Sequence, residues 1–267
     1  MEIDGLIGSR VGSWLLRKLV TPPEKAIPPY AEAKDPFPQS KFDSLFGSDF
    51  RWHLVGKTVL DYGCGFGQAV ILMAELGASF AFGVDIREIP LGYARRLAEE
   101  KKCVGQCLFL NRTDSASLIA LYGQVDVMLT LDAFEHYRNP ELELEEMGKL
   151  LRSGGSLFIS FGPPWWHPYG CHLTFMGAPP WVHILFKERT IMSVRSLYRS
   201  DGAKRFEDVE GGQNRMTVRR FERMLKSSSF QVKRLTYVPI RGCASLSGNR
   251  YGREFFTSAV RAQLVKL

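Results

Sequence analysis

The sequence predicts a doubly wound α/β fold, with a mostly parallel sheet and helices on both faces. Three observations predict it. Short apolar runs recur five times between Thr58 and Phe161, and helical patterns separate them; strands alternating with helices build βαβ units around a parallel sheet. The first run opens into a glycine-rich loop, Gly63-Cys64-Gly65-Phe66-Gly67, where such sheets bind ligands. Finally, 267 residues with 45% hydrophobic content suffice for one large α/β domain with insertions.

The elements follow in order. Thr58-Val59-Leu60-Asp61 reads as a buried strand that ends in an acid, and the apolar run from Gln68 to Leu76 as a helix. Glycines at alternate positions let the backbone turn tightly and approach a ligand without Cβ interference. A pyrophosphate-binding loop needs G-x-G-x-x-G. Here the spacing is G-x-G-x-G, and the strand ends in Asp61. An acid there repels a pyrophosphate and suits a ligand with an ammonium group. Phe80 to Ile86 is the second strand, and its Asp85 lies 20 residues past Gly65. That carboxylate can accept hydrogen bonds from ribose hydroxyls, or it can cap the helix predicted over Arg87 to Lys102. Gln106 to Leu110 is the third strand, with Asp114 and Ser115 beyond it. Val125 to Leu131 is the fourth, ending in Asp132-Ala133-Phe134-Glu135-His136. A helix from Pro140 to Arg152 stops at Ser153-Gly154-Gly155, and the fifth strand runs to Phe161. A helix near Arg215 to Ser228 and a strand from Phe230 to Leu235 complete the reading.

Asp61-Tyr62-Gly63-Cys64-Gly65-Phe66-Gly67 resembles motif I of the class I S-adenosylmethionine-dependent methyltransferases, D-x-G-C-G-x-G, with every fixed position present. The resemblance covers residues 55 to 161 and points to the small-molecule, methyltransferase type 11-like branch. It implies a Rossmann-like, seven-stranded sheet finished by an antiparallel C-terminal strand. It also implies S-adenosylmethionine as cofactor, with S-adenosylhomocysteine as product. The cofactor site then comprises Asp61, Gly63, Cys64, Gly65, Gly67, Asp85, Ile86, Asp114, Ser115 and Asp132. Asp114 would meet the adenine amino group, although it could equally cap the next helix. A lid role over that site is implied for the N-terminal helix, Ile7 to Val20.

The segment from Gly162 to His183 holds three of the five tryptophans and three of the five histidines. It follows the fifth strand on the cofactor side of the sheet. An aromatic wall with few polar groups suits an organic acceptor, so Trp165, Trp166, Tyr169 and Trp181 are substrate-binding candidates. Methyl transfer from a sulfonium needs positioning above all, and a base only where the acceptor carries a proton. His136, then His172 and His167, are the candidates for that base. His167, His172 and His183 could converge, but no cysteine or carboxylate completes a metal site, so none is expected.

Charge is uneven. From Lys187 onward there are 18 Lys and Arg against 7 Asp and Glu, a net of +11, which leaves −4 upstream within the total of +7. A basic C-terminal third fits an anionic partner: a carboxylate or phosphate substrate, nucleic acid or a membrane surface. No recognised RNA-binding module appears, which makes a nucleic-acid methyltransferase the alternative, with a non-catalytic binding protein of the same fold behind it. No apolar run approaches the ~20 residues of a membrane span, and no signal peptide is expected. Five cysteines without paired spacing fit a reduced cytoplasmic protein. The expected organisation is a cap over 1–50 built from a helix and a proline-rich connector, a cofactor-binding core over 51–161, an aromatic and basic substrate-side insertion over 162–212, and a completing helix and strands over 213–267. The expected activity is methyl transfer to a small organic acceptor, at oxygen.

Overall fold

The computed structural model describes residues 4–21, 37–209 and 212–267. Most of the proline-rich connector, including Pro22, Pro23, Pro28, Pro29 and Pro36, lies outside the described residues. In chain order the elements are α1 (Ser9–Leu19), α2 (Gln39–Phe46), β1 (Thr58–Tyr62), α3 (Gln68–Glu75), β2 (Phe80–Asp85), α4 (Glu88–Glu100) and β3 (Cys107–Asn111). They continue with α5 (Ser115–Ala120), β4 (Val125–Leu131), α6 (Pro140–Leu150), β5 (Leu151–Phe161), α7 (Val182–Leu185) and α8 (Glu188–Arg195). The chain closes with α9 (Val218–Ser227), β6 (Phe230–Pro239), α10 (Ala244–Gly248), α11 (Arg253–Phe256) and β7 (Thr257–Lys266).

One seven-stranded sheet takes the order β3-β2-β1-β4-β5-β7-β6. The first five strands pair in parallel, and β7 pairs antiparallel with both β5 and β6. Successive strand residues point to opposite faces, and the buried clusters follow that alternation. Val59, Val127, Leu129 and Phe158 pack with α2, α3 and α4. Leu60, Met128, Leu157 and Ile159 pack with α6 and α9 on the other face. Both faces being covered, the strands read as near-continuous apolar runs.

Helix α6 stops two residues short of the predicted end. Leu151 already pairs with Val125, and Ser153-Gly154-Gly155 forms an irregularity inside β5, with Gly154 at φ +75°. The glycines therefore bend a strand rather than terminate a helix. Helix α9 shows its design in its spacing: Val218, Phe221, Met224 and Leu225 are buried, while Arg219, Arg223 and Lys226 are exposed. Thr217 caps it by accepting the Arg220 N–H at 3.0 Å.

Residues between β5 and α9 build a separate buried cluster from Trp165, Leu173, Met176, Val182, Phe186, Ile191 and Phe206, which also takes in Leu16 and Val20. Helix α1 is thus docked on α8. Its approach is fixed by Ile7 N–H donating to Leu185 at 2.9 Å and Lys187 N–H donating to Ile7 at 2.8 Å. Within residues 1–50 it is α2 that reaches the sheet edge carrying the glycine loop, through Lys41 and Asp132 at 3.3 Å.

Candidate functional site

The chain order reverses between β1 and β4, so their carboxyl ends flank a crevice. Ligands bind open α/β sheets at such switch points. The glycine loop fills one side. Its Gly63 and Cys64 N–H groups donate to Val84 at 2.7 and 2.9 Å, and Gly67 N–H donates to Cys64 at 2.9 Å. Gly63, Gly65 and Gly67 all have positive φ, at +90°, +51° and +79°. Their surroundings differ. A Cβ on Gly63 would meet Ala133 Cβ at 2.6 Å, and one on Gly67 would meet Ala94 Cβ and Phe109 at 2.6 Å. A Cβ on Gly65 would find only the Arg87 guanidinium, at 3.6 Å. Two of the glycines therefore serve packing within the protein, and Gly65 is the one that faces open space.

Two acids stand behind this loop. Asp61 is buried, and among the described residues its Oδ1 has no hydrogen-bond partner. Burial, reinforced by Asp85 and opposed by Lys41, pushes its carboxyl up to about 7. An orphaned buried carboxylate oxygen calls for a partner from outside the chain. Asp85 is well supplied by contrast. It accepts from Gly65 N–H at 2.9 Å, Arg87 N–H at 2.9 Å and the Arg87 guanidinium at 3.1 and 3.2 Å. It does not cap the following helix, whose N-cap position is Arg87 itself.

The remaining cofactor candidates lie at the crevice rim. Ile86 is exposed. Asp114 caps α5, accepting Ser117 N–H at 3.2 Å and Ser117 Oγ–H at 2.6 Å, and those bonds hold its carboxyl below the usual range. Ser115 opens that helix. Asp132, exposed at φ +50°, ends β4 and faces Lys41. Cys64 is buried, which pushes its thiol pKa well up.

Beyond Asp132 the chain forms a short 3-10 turn, Phe134–His136. His136 Nδ1 lies 2.7 Å from the Gly212 carbonyl. A carbonyl only accepts, so Nδ1 carries the hydrogen and Nε2 keeps a lone pair in the neutral ring. Burial lowers the His136 pKa, which favours that neutral form. His172 packs edge-on against it, with ring centroids 5.3 Å apart. Burial first, then His136, pushes His172 down to about 4, against a hydrogen bond to the Pro163 carbonyl.

The other two histidines of the segment are already engaged. His167 Nδ1 accepts Tyr169 N–H at 3.1 Å. His183 is buried edge-on against Trp165, at 4.6 Å, with Nε2 2.6 Å from the Trp165 carbonyl. Among the described residues, no group of three or more His, Cys, Asp or Glu is arranged to hold a metal ion.

The three tryptophans diverge. Trp165 lies in the buried cluster against His183 and Phe206. Trp166 turns toward Phe255, with centroids 5.5 Å apart. Trp181, half-buried, donates its Nε1–H to the Trp166 carbonyl at 3.0 Å. Tyr169 is exposed beside His167.

Three residues here escaped the sequence reading. Glu135 is buried and accepts Gly162 N–H at 3.1 Å, and its Oε2 has no partner among the described residues. Burial pushes its carboxyl up to about 8. Asn214 clamps the turn from outside, donating to the carbonyls of Phe134 and Tyr137 at 2.8 Å each. Arg87 is the third. An acid directly before His136 was the available signal for Glu135, but Asn214 reaches its partners across 77 to 80 residues and left none.

A parallel sheet closed by antiparallel β7, with this loop after β1 and an acid ending β2, is the Rossmann-like methyltransferase fold. Residues 59–155 match the family described as methyltransferase domain. The ubiquinone biosynthesis O-methyltransferase of Pseudomonas paraeruginosa is 36% identical over 112 residues, which are 42% of this chain and 47% of that protein. The chain thus spans about half the length of the curated relatives it matches. Magnesium protoporphyrin IX methyltransferase from Synechocystis, solved with bound S-adenosylhomocysteine, superposes with TM-score 0.53 at 19% identity, over 86% of this chain and 82% of that one. The [4+2]-cyclase SpnF superposes with TM-score 0.55 at 14% identity, over 88% and 84%. These structural likenesses concern the fold, which by itself leaves the reaction open.

Proposed function

We propose that this chain transfers the methyl group of S-adenosylmethionine to the oxygen of a small organic acceptor, with His136 as proton acceptor. The observation that carries the reading is the His136 ring. Its Nδ1–H is held by Gly212, burial keeps it neutral, and Nε2 is left as a base at the end of the strand beside the glycine loop. The oxygen preference is supported by the O-methyltransferase relative that is 36% identical over 112 residues.

When bound, the cofactor supplies a methyl group on a sulfonium that needs no further activation. The chain has the groups to hold it. Asp61 offers an unpartnered buried oxygen to an ammonium group, and the Gly63, Cys64, Gly65 and Gly67 backbone forms the cradle. Asp85 serves the ribose hydroxyls once Arg87 yields its place. Ile86, Asp114, Ser115 and Asp132 form the rim around the rest. Acceptor binding falls to the insertion over 162–212, through Trp166, Tyr169 and Trp181. Trp165, buried under them, supports their loop. His172 packs on His136 and fixes its plane, and His167 holds the turn at Tyr169. Positioning an acceptor near-attack is worth about 7–11 kcal/mol, and a positioned base about 10²–10⁴-fold more. Five free cysteines suit a reducing compartment, the cytoplasm.

Calorimetric titration with S-adenosylmethionine and S-adenosylhomocysteine tests the first half. Micromolar binding of both is expected, and binding of neither overturns the reading. Transfer of labelled methyl to a panel of phenols and carboxylic acids tests the second half.

A further inference from the structure

Away from the crevice, two cavities adjoin on the exposed side of α9. One, of about 360 Å³, is lined by Trp166, Tyr251 and Phe255 together with Arg219, Arg220 and Arg223. The other, of about 260 Å³, shares Arg219, Arg223 and Glu254 with it and adds Lys226, Arg250 and Arg253. They form one groove, cationic along its length and aromatic at one end.

The charges in this groove are only partly matched: Arg219, Arg220 and Arg253 pair with Glu254, Glu141 and Glu222. Among the described residues Arg223, Lys226 and Arg250 have no carboxylate partner, and all three are exposed. The carboxylates lining the groove are already engaged and leave these three cations unneutralised. Glu254 accepts the Val218 and Arg219 N–H groups at 3.1 and 2.8 Å, and Glu222 pairs with Arg253 at 2.9 Å and with the Tyr237 hydroxyl. Tyr251 is 78% exposed, and Phe255 is 38% exposed. A ring so placed beside unpaired guanidinium groups offers a stacking face and a phosphate site together.

We propose that this groove binds a nucleoside phosphate, with its base on Tyr251 and Phe255 and its phosphate between Arg223 and Arg250. The inference rests on groups distinct from the cofactor crevice. A bare anion would leave the aromatic end without a role. A bilayer would meet the same side chains on a flat or protruding face, whereas these line a concavity. The groove also reaches the acceptor side through Trp166, which belongs to the loop after β5. A nucleotide seated here would place whatever it carries toward that loop.

Uridine monophosphate is the probe, titrated against the full chain saturated with S-adenosylhomocysteine, so that the crevice cannot take it up. Saturable binding is expected, weakening several-fold between 50 and 200 mM salt. The Arg223→Ala/Arg250→Ala variant should weaken it at least tenfold, and Tyr251→Ala about tenfold. All these variants should keep the parent affinity for S-adenosylhomocysteine, which separates a failed groove from a failed fold or a failed cofactor reading. Inorganic phosphate should compete only weakly. No binding of the nucleotide overturns the proposal. So does equal competition by phosphate, which would make the groove a plain anion site. Binding only to a single-stranded oligonucleotide, or only to anionic phosphatidylglycerol vesicles, overturns it in favour of a polymer or a membrane.

Discussion

The crevice at the glycine loop and the insertion after β5 are held together in different ways. In the crevice each critical residue sits at a fixed distance from a strand end, and neighbouring strands bring Asp61, Gly65 and Asp85 together. The insertion depends on contacts between distant residues: Trp165 with Phe206, His136 with Gly212, Asn214 with Phe134. The first region is set by local geometry on a rigid sheet. The second is set by a network that only the finished fold assembles, and functional variation belongs in such regions.

The sharpest way to separate the two is His136→Ala. Turnover should fall about 10²–10⁴-fold while S-adenosylhomocysteine affinity, read by calorimetry, stays within about threefold. An equal loss of both would place His136 in the cofactor crevice. Next come the glycines. Gly67→Ala forces a Cβ against Ala94 and Phe109 at positive φ, and should cost about 2–4 kcal/mol in denaturant unfolding. Gly65→Ala, with open space beside it, should cost about 1 kcal/mol and act on cofactor affinity instead. Equal destabilisation by both would mean that the loop has no ligand-facing side.

Asp85→Ala should weaken S-adenosylhomocysteine binding at least tenfold. Arg87→Ala should strengthen it a few-fold by freeing the carboxylate that the guanidinium now occupies. Unchanged affinity in both variants would remove Asp85 from the ribose. The smallest effect is on acid stability. His183, buried and neutral in the insertion, has its pKa pushed from 6.5 to about 4. A base with a depressed folded pKa stabilises the protein above its unfolded pKa, and that stability is lost as pH falls from about 6.5 to 4. The Tm should drop by roughly 5 °C over that window, and His183→Gln should flatten the drop. A Tm slope unaltered by the variant would assign the acid sensitivity to other groups.

The sequence made the sheet legible because buried parallel strands are apolar throughout and end where glycines and acids begin. Strands β1, β2 and β4 fall within a residue of their predicted bounds. The end of α6 was misplaced because glycines mark a bent strand as readily as a helix stop. The fate of the aromatic segment was not legible. Three tryptophans within 17 residues suggested a wall, yet the Trp165 carbonyl meets His183 and its indole packs into the core. Nor did spacing disclose the groove on α9, because Trp166, Arg223 and Tyr251 approach one another only once α11 has packed beside α9. Basic residues that looked scattered along the chain are neighbours in space.

The clamp on the turn after β4 has a consequence for how the molecule could be rebuilt. Gly212 and Asn214 steady that turn from a short stretch just ahead of α9, while the aromatic loop after β5 arrives from elsewhere. His172 packs on the His136 ring from within that loop, so an exchange of the stretch between His167 and Glu207 has to keep His172 along with these two anchors. If the proposed function holds, the rest of that loop is a replaceable cassette for acceptor choice, mounted on a fixed turn.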